Sequence, residues 1–152
     1  MIDKEKYLKE HLPYSIRILL AHEKLTRKIY EGDKDILEAI FVGSLIKGRM
    51  LLEVIGITIK RDGSSLRDME WKEGDGNINA THLDGKIIKC SDVNEKEKME
   101  LLHFLIATNK YEAHLTDQSI ERDLAKIKPA VRIILRLIEE NIYAPNNIPF
   151  PF

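Results

Sequence analysis

Apolar side chains are densest between Lys34 and Ile57, where they fall on nearly every side of a helix. This stretch contains no proline. A helix that is apolar nearly all round is normally a buried one, so the pattern predicts a central helix over residues 34–57. Three charged residues, Glu38, Arg49 and Glu53, share one side of it, while Lys47 lies on the opposite side.

This polar side of the central helix has two interpretations. Arg49 and Glu53 are four residues apart, so they can form an ordinary ion pair on a solvated helix edge. Alternatively, the central helix presents both charges to a polar pocket between helices, where charged groups need partners and often serve function. The sequence leaves both interpretations open.

Helical patterns precede and follow the central helix. Residues 3–12 and 13–30 carry apolar residues at helical spacing, with a stop or restart predicted at Pro13. A further helix is predicted from about Asn94, and a last one from about Gln118 to Tyr143. Pro129 falls inside the last helix, which predicts a kink there or two abutting pieces.

The segment from Thr58 to Asn94 has little helical periodicity and holds the only tryptophan of the chain. It predicts a long irregular connection between the second and third main helices, with a small β-hairpin that turns at Asp84 and Gly85. The predicted fold class is therefore all-α, a four- to five-helix bundle interrupted by this connection. Residues 1–152 form one domain, and residues 144–152 an extended C-terminal tail.

Composition narrows the class of protein. The chain has 24 basic and 25 acidic residues, so its overall charge does not predict nucleic-acid binding. Its charged start lacks the apolar core of a signal peptide, and its apolar stretches are interrupted by charges, which predicts a cytoplasmic protein without a membrane span. Cys90 stands alone and no HExxH occurs, so neither a metal nor another cofactor is predicted.

The stretch NKYEAHLT, residues 109–116, concentrates polar residues where an apolar helix ends. Together with the helix SLIKGRMLLEVIGI and the irregular segment after it, it resembles the HEPN-like superfamily, small helical bundles often found in bacterial toxin–antitoxin and phage-defence systems. Many members are metal-independent ribonucleases with an arginine, four to six intervening residues and a histidine. Asn109 and His114 have that spacing, but asparagine replaces the arginine.

The resemblance implies a catalytic set of His114, Asn109 and Arg49, with Glu53 and Lys110 as further polar groups of the pocket. His114 would exchange a proton with a ribose hydroxyl or leaving oxygen, and Lys110 or Arg49 would replace the missing arginine. His114 can equally close a helix C-terminus, which favours a cation. Arg17 and His22 repeat the spacing, but they lie early in the chain and are interpreted as a chance match.

The resulting hypothesis is a HEPN-like protein associated with RNA or a nucleotide in a defence or toxin–antitoxin context, with a degenerate ribonuclease motif. Any enzyme activity would be that of a ribonuclease, and an inactive or non-catalytic protein is favoured. The expected partners are a second copy in a homodimer, RNA or a cognate protein. The alternatives are a non-catalytic homodimeric interaction module and a small-molecule binder with a pocket between helices.

Overall fold

The computed structural model describes residues 3–21, 34–72, 76–113 and 124–152. These residues are mostly helical, with a small two-stranded antiparallel sheet. The α-helices and strands described are α1 (Lys4–Lys6), α2 (Leu12–Leu19), α3 (Lys34–Ile55), β1 (Ile57–Ile59), β2 (Leu66–Asp68), α4 (Glu95–Ala113) and α5 (Leu124–Ile138). Shorter helical turns are π-helical at Tyr7–His11 and Glu139–Tyr143 and 3-10 at Ala80–Leu83, Cys90–Asp92 and Ala144–Asn146.

The first helical segment passes Pro13 without a break. The turn before it, Tyr7–His11, is π-helical, and the Leu12 N–H donates to the Tyr7 carbonyl five residues back. A proline ring clashes with the carbonyl four residues before it, and a widened turn relieves that conflict. Pro13 therefore lies in the first turn of α2 and does not end the preceding helix.

Helix α3 begins and ends close to the predicted bounds and contacts α2, α4 and α5. Its core side chains include Leu45, Leu52 and Ile55, which are 0–1% exposed. The helix is not enclosed on every side, however, because Ile36 and Met50 are 47% and 46% exposed. The prediction of a buried central helix thus holds for most of its circumference.

The small sheet lies in the predicted connection but at a different place. Strand β1 pairs with β2, with Ile57 opposite Asp68 and Ile59 opposite Leu66. The predicted hairpin turn at Asp84 and Gly85 is wrong, because Asp84 ends the 3-10 turn Ala80–Leu83 in a left-handed conformation. Asn79 caps that turn, since its side chain accepts from the Thr81 N–H at 3.0 Å. Local capping thus competes successfully with strand pairing here.

Backbone hydrogen bonds attach the connection to the helices on both sides. The Met69 N–H donates to the Gly56 carbonyl, and the Ile88 N–H to the Ile55 carbonyl, both at 2.8 Å. The Lys86 N–H donates to the Asn141 carbonyl, also at 2.8 Å. Irregular backbone can be buried only when such groups find partners, and these bonds attach the described residues of the connection to the rest of the fold.

Helix α5 is continuous across Pro129, so within the described residues it is not divided there into two pieces. The residues predicted to begin it, Gln118 to Asp123, lie outside the described part of the chain. The helical path continues beyond α5 to Asn146, so the predicted tail begins with a helical turn. Its Phe150 then packs edge-on against Tyr143, with ring centroids 5.3 Å apart.

A helix must be both long and apolar to cross a lipid bilayer. Over residues 3–21, 34–72, 76–113 and 124–152, no helix combines enough of both to cross a lipid bilayer.

Candidate functional site

The polar side of α3 carries an ion pair at the contact with α4. Arg49 Nε donates to Glu53 Oε1 at 3.0 Å, and the two side chains are 32% and 28% exposed. They are one helical turn apart, the spacing at which side chains meet on a helix surface. The pair is half-buried. Its environment is therefore intermediate between the two that the sequence predicts, a solvated helix edge and a polar pocket between helices.

Asn109 of α4 joins this pair across the helix contact. Arg49 Nη1 donates to Asn109 Oδ1 at 3.2 Å. Gly48 explains the approach, because a Cβ at this position would collide with the Phe104 ring of α4. The two helices can therefore pack closely at the turn that presents Arg49. Arg49, Glu53 and Asn109 are called the polar cluster from here on.

Thr58 also contacts the polar cluster, although no pattern in the sequence singles it out. Its hydroxyl lies 3.4 Å from Glu53 Oε1, a long contact, and the residue is only 5% exposed. Thr58 follows α3 directly in the chain as part of β1. The turn at Gly56 brings it back beside Glu53, a geometry that depends on the unusual backbone angle of a glycine (φ 112°).

The structure does not describe the side chains of two predicted site residues. His114 lies outside the described residues, and so does the side chain of Lys110, whose backbone belongs to α4. Of the predicted catalytic set, the structure thus brings Arg49 and Asn109 together. For the second spacing match, Arg17 is exposed on α2, and His22 lies outside the described residues.

A groove of about 280 Å³ adjoins the polar cluster through Glu53. Its walls combine aromatic, apolar and amide side chains and include Tyr7, Met50, Glu53, Trp71 and Asn77. It is called the Trp71 groove from here on. Small-ligand sites typically pair an apolar lining with a few polar groups that orient the ligand, and this groove has both.

A larger cleft of about 520 Å³ lies between the start of α4 and α5. Its lining mixes Lys96, Lys128 and Arg132 with Glu97 and Glu100 and contains no aromatic side chain. Charges of both signs on an open surface are typical of solvated helix faces. Neither a planar ligand nor an anion is selected by that lining, so the cleft is the weaker candidate.

Cys90 is not an activated nucleophile. Burial is the main cause that raises the pKa of the thiol to about 11, and the neighbouring Asp68 carboxylate also raises it. The thiolate is the reactive form, so the thiol is protonated at neutral pH. Among the described residues, no three His, Cys, Asp or Glu side chains cluster in a way that could hold a metal ion.

The polar cluster offers a cation, a carboxylate and an amide within one small surface. A guanidinium can bind a phosphate, and a carboxylate accepts hydrogen bonds from N–H groups. Glu53 partly neutralises Arg49, so the cluster has little net charge. It is therefore better suited to orienting a polar ligand than to binding anions by charge alone.

Comparisons with known proteins return nothing similar: no family model, no curated protein and no solved structure matches the chain. The resemblance to the HEPN-like superfamily, the homodimer and the association with RNA therefore stay predictions.

Proposed function

We propose that this protein is a helical bundle of the HEPN-like kind that binds single-stranded RNA at the polar cluster without cleaving it. The observation that carries the proposal is the hydrogen bond of Arg49 to Asn109, which joins α3 to the start of the NKYEAHLT stretch. This contact places a guanidinium beside the asparagine that occupies the arginine position of the resembled ribonuclease motif.

Binding without cleavage follows from the chemistry of the cluster. Cleavage of a phosphodiester needs a positive group that stabilises charge developing on the phosphate. Asn109 supplies only a neutral dipole, and Arg49 is engaged by the Glu53 carboxylate at 3.0 Å. A paired guanidinium that is about one-third exposed can still contact a phosphate in the bound state. The cluster is thus suited to holding RNA, and less suited to the transition state.

The test is the binding of a fluorescent single-stranded RNA oligonucleotide to Arg49→Gln, with Arg17→Gln as the matched control. Arg17 is an exposed arginine on α2, so its replacement makes the same change of charge elsewhere. Losing one phosphate contact should reduce the slope of log affinity against log salt by about 0.7. We expect this reduction, and a loss of affinity at low salt, only in Arg49→Gln.

Equal weakening by both substitutions would indicate non-specific charge attraction and would contradict the proposal. Circular dichroism checks that both variants keep their helical signal. The same mixtures on a denaturing gel should contain intact RNA. Cleavage that disappears in His114→Ala, with the helical signal unchanged, would identify an active ribonuclease and contradict the non-catalytic part of the proposal.

A further inference from the structure

We propose that the Trp71 groove holds one unpaired guanine base of the bound RNA, with the base stacked on an aromatic side chain and its Watson–Crick edge on Glu53. This inference rests on the proposed function, because it assigns a base to the strand bound at the polar cluster. It adds a base-selective subsite formed largely by the connection and helix α3.

Aromatic side chains provide the stacking surface. Trp71 belongs to the irregular connection, Tyr7 to the first helical segment, and both line the groove. Neither ring is fully buried, so each has a face or an edge that a ligand can reach. Single-stranded bases bind proteins chiefly by stacking on such rings, which any base can do. Stacking alone therefore predicts a base, and the choice among bases must come from the polar groups.

Glu53 provides the selective group. Both of its recorded contacts, with Arg49 and Thr58, end on Oε1, and Oε2 accepts no hydrogen bond from the described residues. A carboxylate can only accept hydrogen bonds, so it favours a base edge that presents adjacent donors. Guanine has two on its Watson–Crick edge, the ring N1–H and the 2-amino group. Adenine and cytosine pair one donor group with a ring acceptor, and uracil flanks its single N–H with two carbonyl oxygens.

Size and charge agree with a single base. The groove holds about 280 Å³, just below the lower end of small-ligand sites, which is enough room for one base. Arg49 offsets the charge of Glu53, so the carboxylate does not demand a cationic ligand. A neutral planar ligand rich in donors is the class that this lining fits.

The groove also contains its own reporter, because Trp71 is the only tryptophan of the chain. We expect GMP to quench the tryptophan emission of the full chain at lower concentrations than AMP, CMP or UMP. IMP, which lacks only the 2-amino group, should bind about tenfold more weakly than GMP. Glu53→Gln, which replaces one acceptor oxygen by a donor, should abolish the preference for GMP and leave Trp71 in place to report it.

The contribution of stacking is measured with a labelled oligonucleotide that contains one guanosine in a run of uridines. Trp71→Ala should weaken its binding about tenfold. Tyr14→Ala is the matched control, because Tyr14 is an aromatic residue that is 52% exposed outside the groove. It should leave the affinity unchanged. Circular dichroism again checks the fold of each variant, so that a lost signal is not mistaken for unfolding.

The outcomes separate this inference from the proposed function. Binding that depends on Arg49 but is indifferent to Trp71 and to base identity would overturn the groove and leave the function standing. Equal quenching by GMP and UMP would overturn the role of Glu53 in base selection. If the chain binds no RNA oligonucleotide at all, the proposed function fails, and the inference that rests on it fails too.

Discussion

The connection between α3 and α4 and the polar cluster are held in place by different kinds of contact. The connection has little regular structure, but backbone hydrogen bonds fasten it to Ile55, Gly56 and Asn141. The polar cluster lies on two regular helices, and its recorded contacts are between side chains. The position of the irregular connection therefore depends on its backbone conformation. Side chains of the polar cluster can be substituted with little effect on the fold.

This difference predicts how each region responds to substitution. Changes that disturb the backbone of the connection should lower stability strongly, whereas changes in the polar cluster should alter binding and leave folding nearly intact. A partly exposed ion pair such as Arg49 and Glu53 contributes about 0.5 kcal/mol to stability. The Arg49→Gln variant proposed above thus measures function with little interference from folding.

The largest effect is expected from Gly56→Ala. Gly56 has a φ of 112°, and an added Cβ would lie 2.5 Å from the Ile88 carbonyl oxygen. Strain and this clash together should lower the free energy of unfolding by about 3 kcal/mol. Gly63→Ala is the control, because Gly63 also has a positive φ but open space around it. Urea denaturation should give a loss of about 1 kcal/mol for Gly63→Ala, and equal losses would contradict a tightly fastened connection.

A smaller loss is expected from Asn146→Ala. Asn146 Nδ2 donates at 2.7 Å to the carbonyls of Leu83 in the connection and Ile142 in its own helical turn. Removing it takes away the donor to both carbonyls, which should cost about 1.5 kcal/mol. Asn141→Ala is the matched control, since Asn141 Nδ2 donates only to Leu137 in the preceding turn. Thermal unfolding should show a larger decrease in stability for Asn146→Ala than for Asn141→Ala. The reverse order would contradict the role of Asn146 in joining the connection to the C-terminal helical turns.

The smallest effect, and the only gain, is expected from Tyr143→Phe. The residue is 1% exposed, and among the described residues its hydroxyl has no hydrogen-bond partner. Deleting an unsatisfied buried hydroxyl should raise the free energy of unfolding by about 1 kcal/mol. Tyr14→Phe, at a residue that is 52% exposed, should change nothing. A clear loss in Tyr143→Phe would reveal a partner for the hydroxyl and contradict the prediction.

Alkaline pH sharpens the test of Tyr143. Burial raises the pKa of its hydroxyl to about 12, whereas an unfolded tyrosine titrates near pH ~10. The unfolded chain therefore loses this proton first. The contribution to stability is complete below pH ~10 and falls as the pH rises through the folded value. Unfolding curves measured between neutral pH and the folded pKa should therefore show a smaller alkaline loss of stability for Tyr143→Phe than for the unchanged chain.

The helices were predictable because their signals are local and repeated. Apolar residues over residues 34–57 gave the bounds of α3 to within a few residues. The hairpin was misplaced because Asp84 and Gly85 form a common turn dipeptide, while the actual strands, Ile57–Ile59 and Leu66–Asp68, are only three residues each. Strands this short carry almost no periodic signal, and pairing with the end of α3 decides their place.

Part of the polar cluster was predictable for the same reason. Helical spacing placed Arg49 beside Glu53, and polar density singled out Asn109. Thr58 and Trp71 were missed, because they follow α3 in a three-residue strand and in irregular chain and reach the cluster or its groove only through the turn at Gly56. The sequence contains no local pattern that reports such a turn together with its tertiary partners.

Ser44 shows how a residue outside the site controls it. Its hydroxyl is fully buried and shares one proton between the Ile18 carbonyl of α2, at 3.0 Å, and the Ile40 carbonyl of its own helix, at 2.9 Å. A polar bond between two packed helices fixes their rotation about their long axes more sharply than apolar contacts do. The direction in which Arg49 leaves α3 is consequently set more than one turn earlier, by a hydroxyl that no ligand of the site would touch.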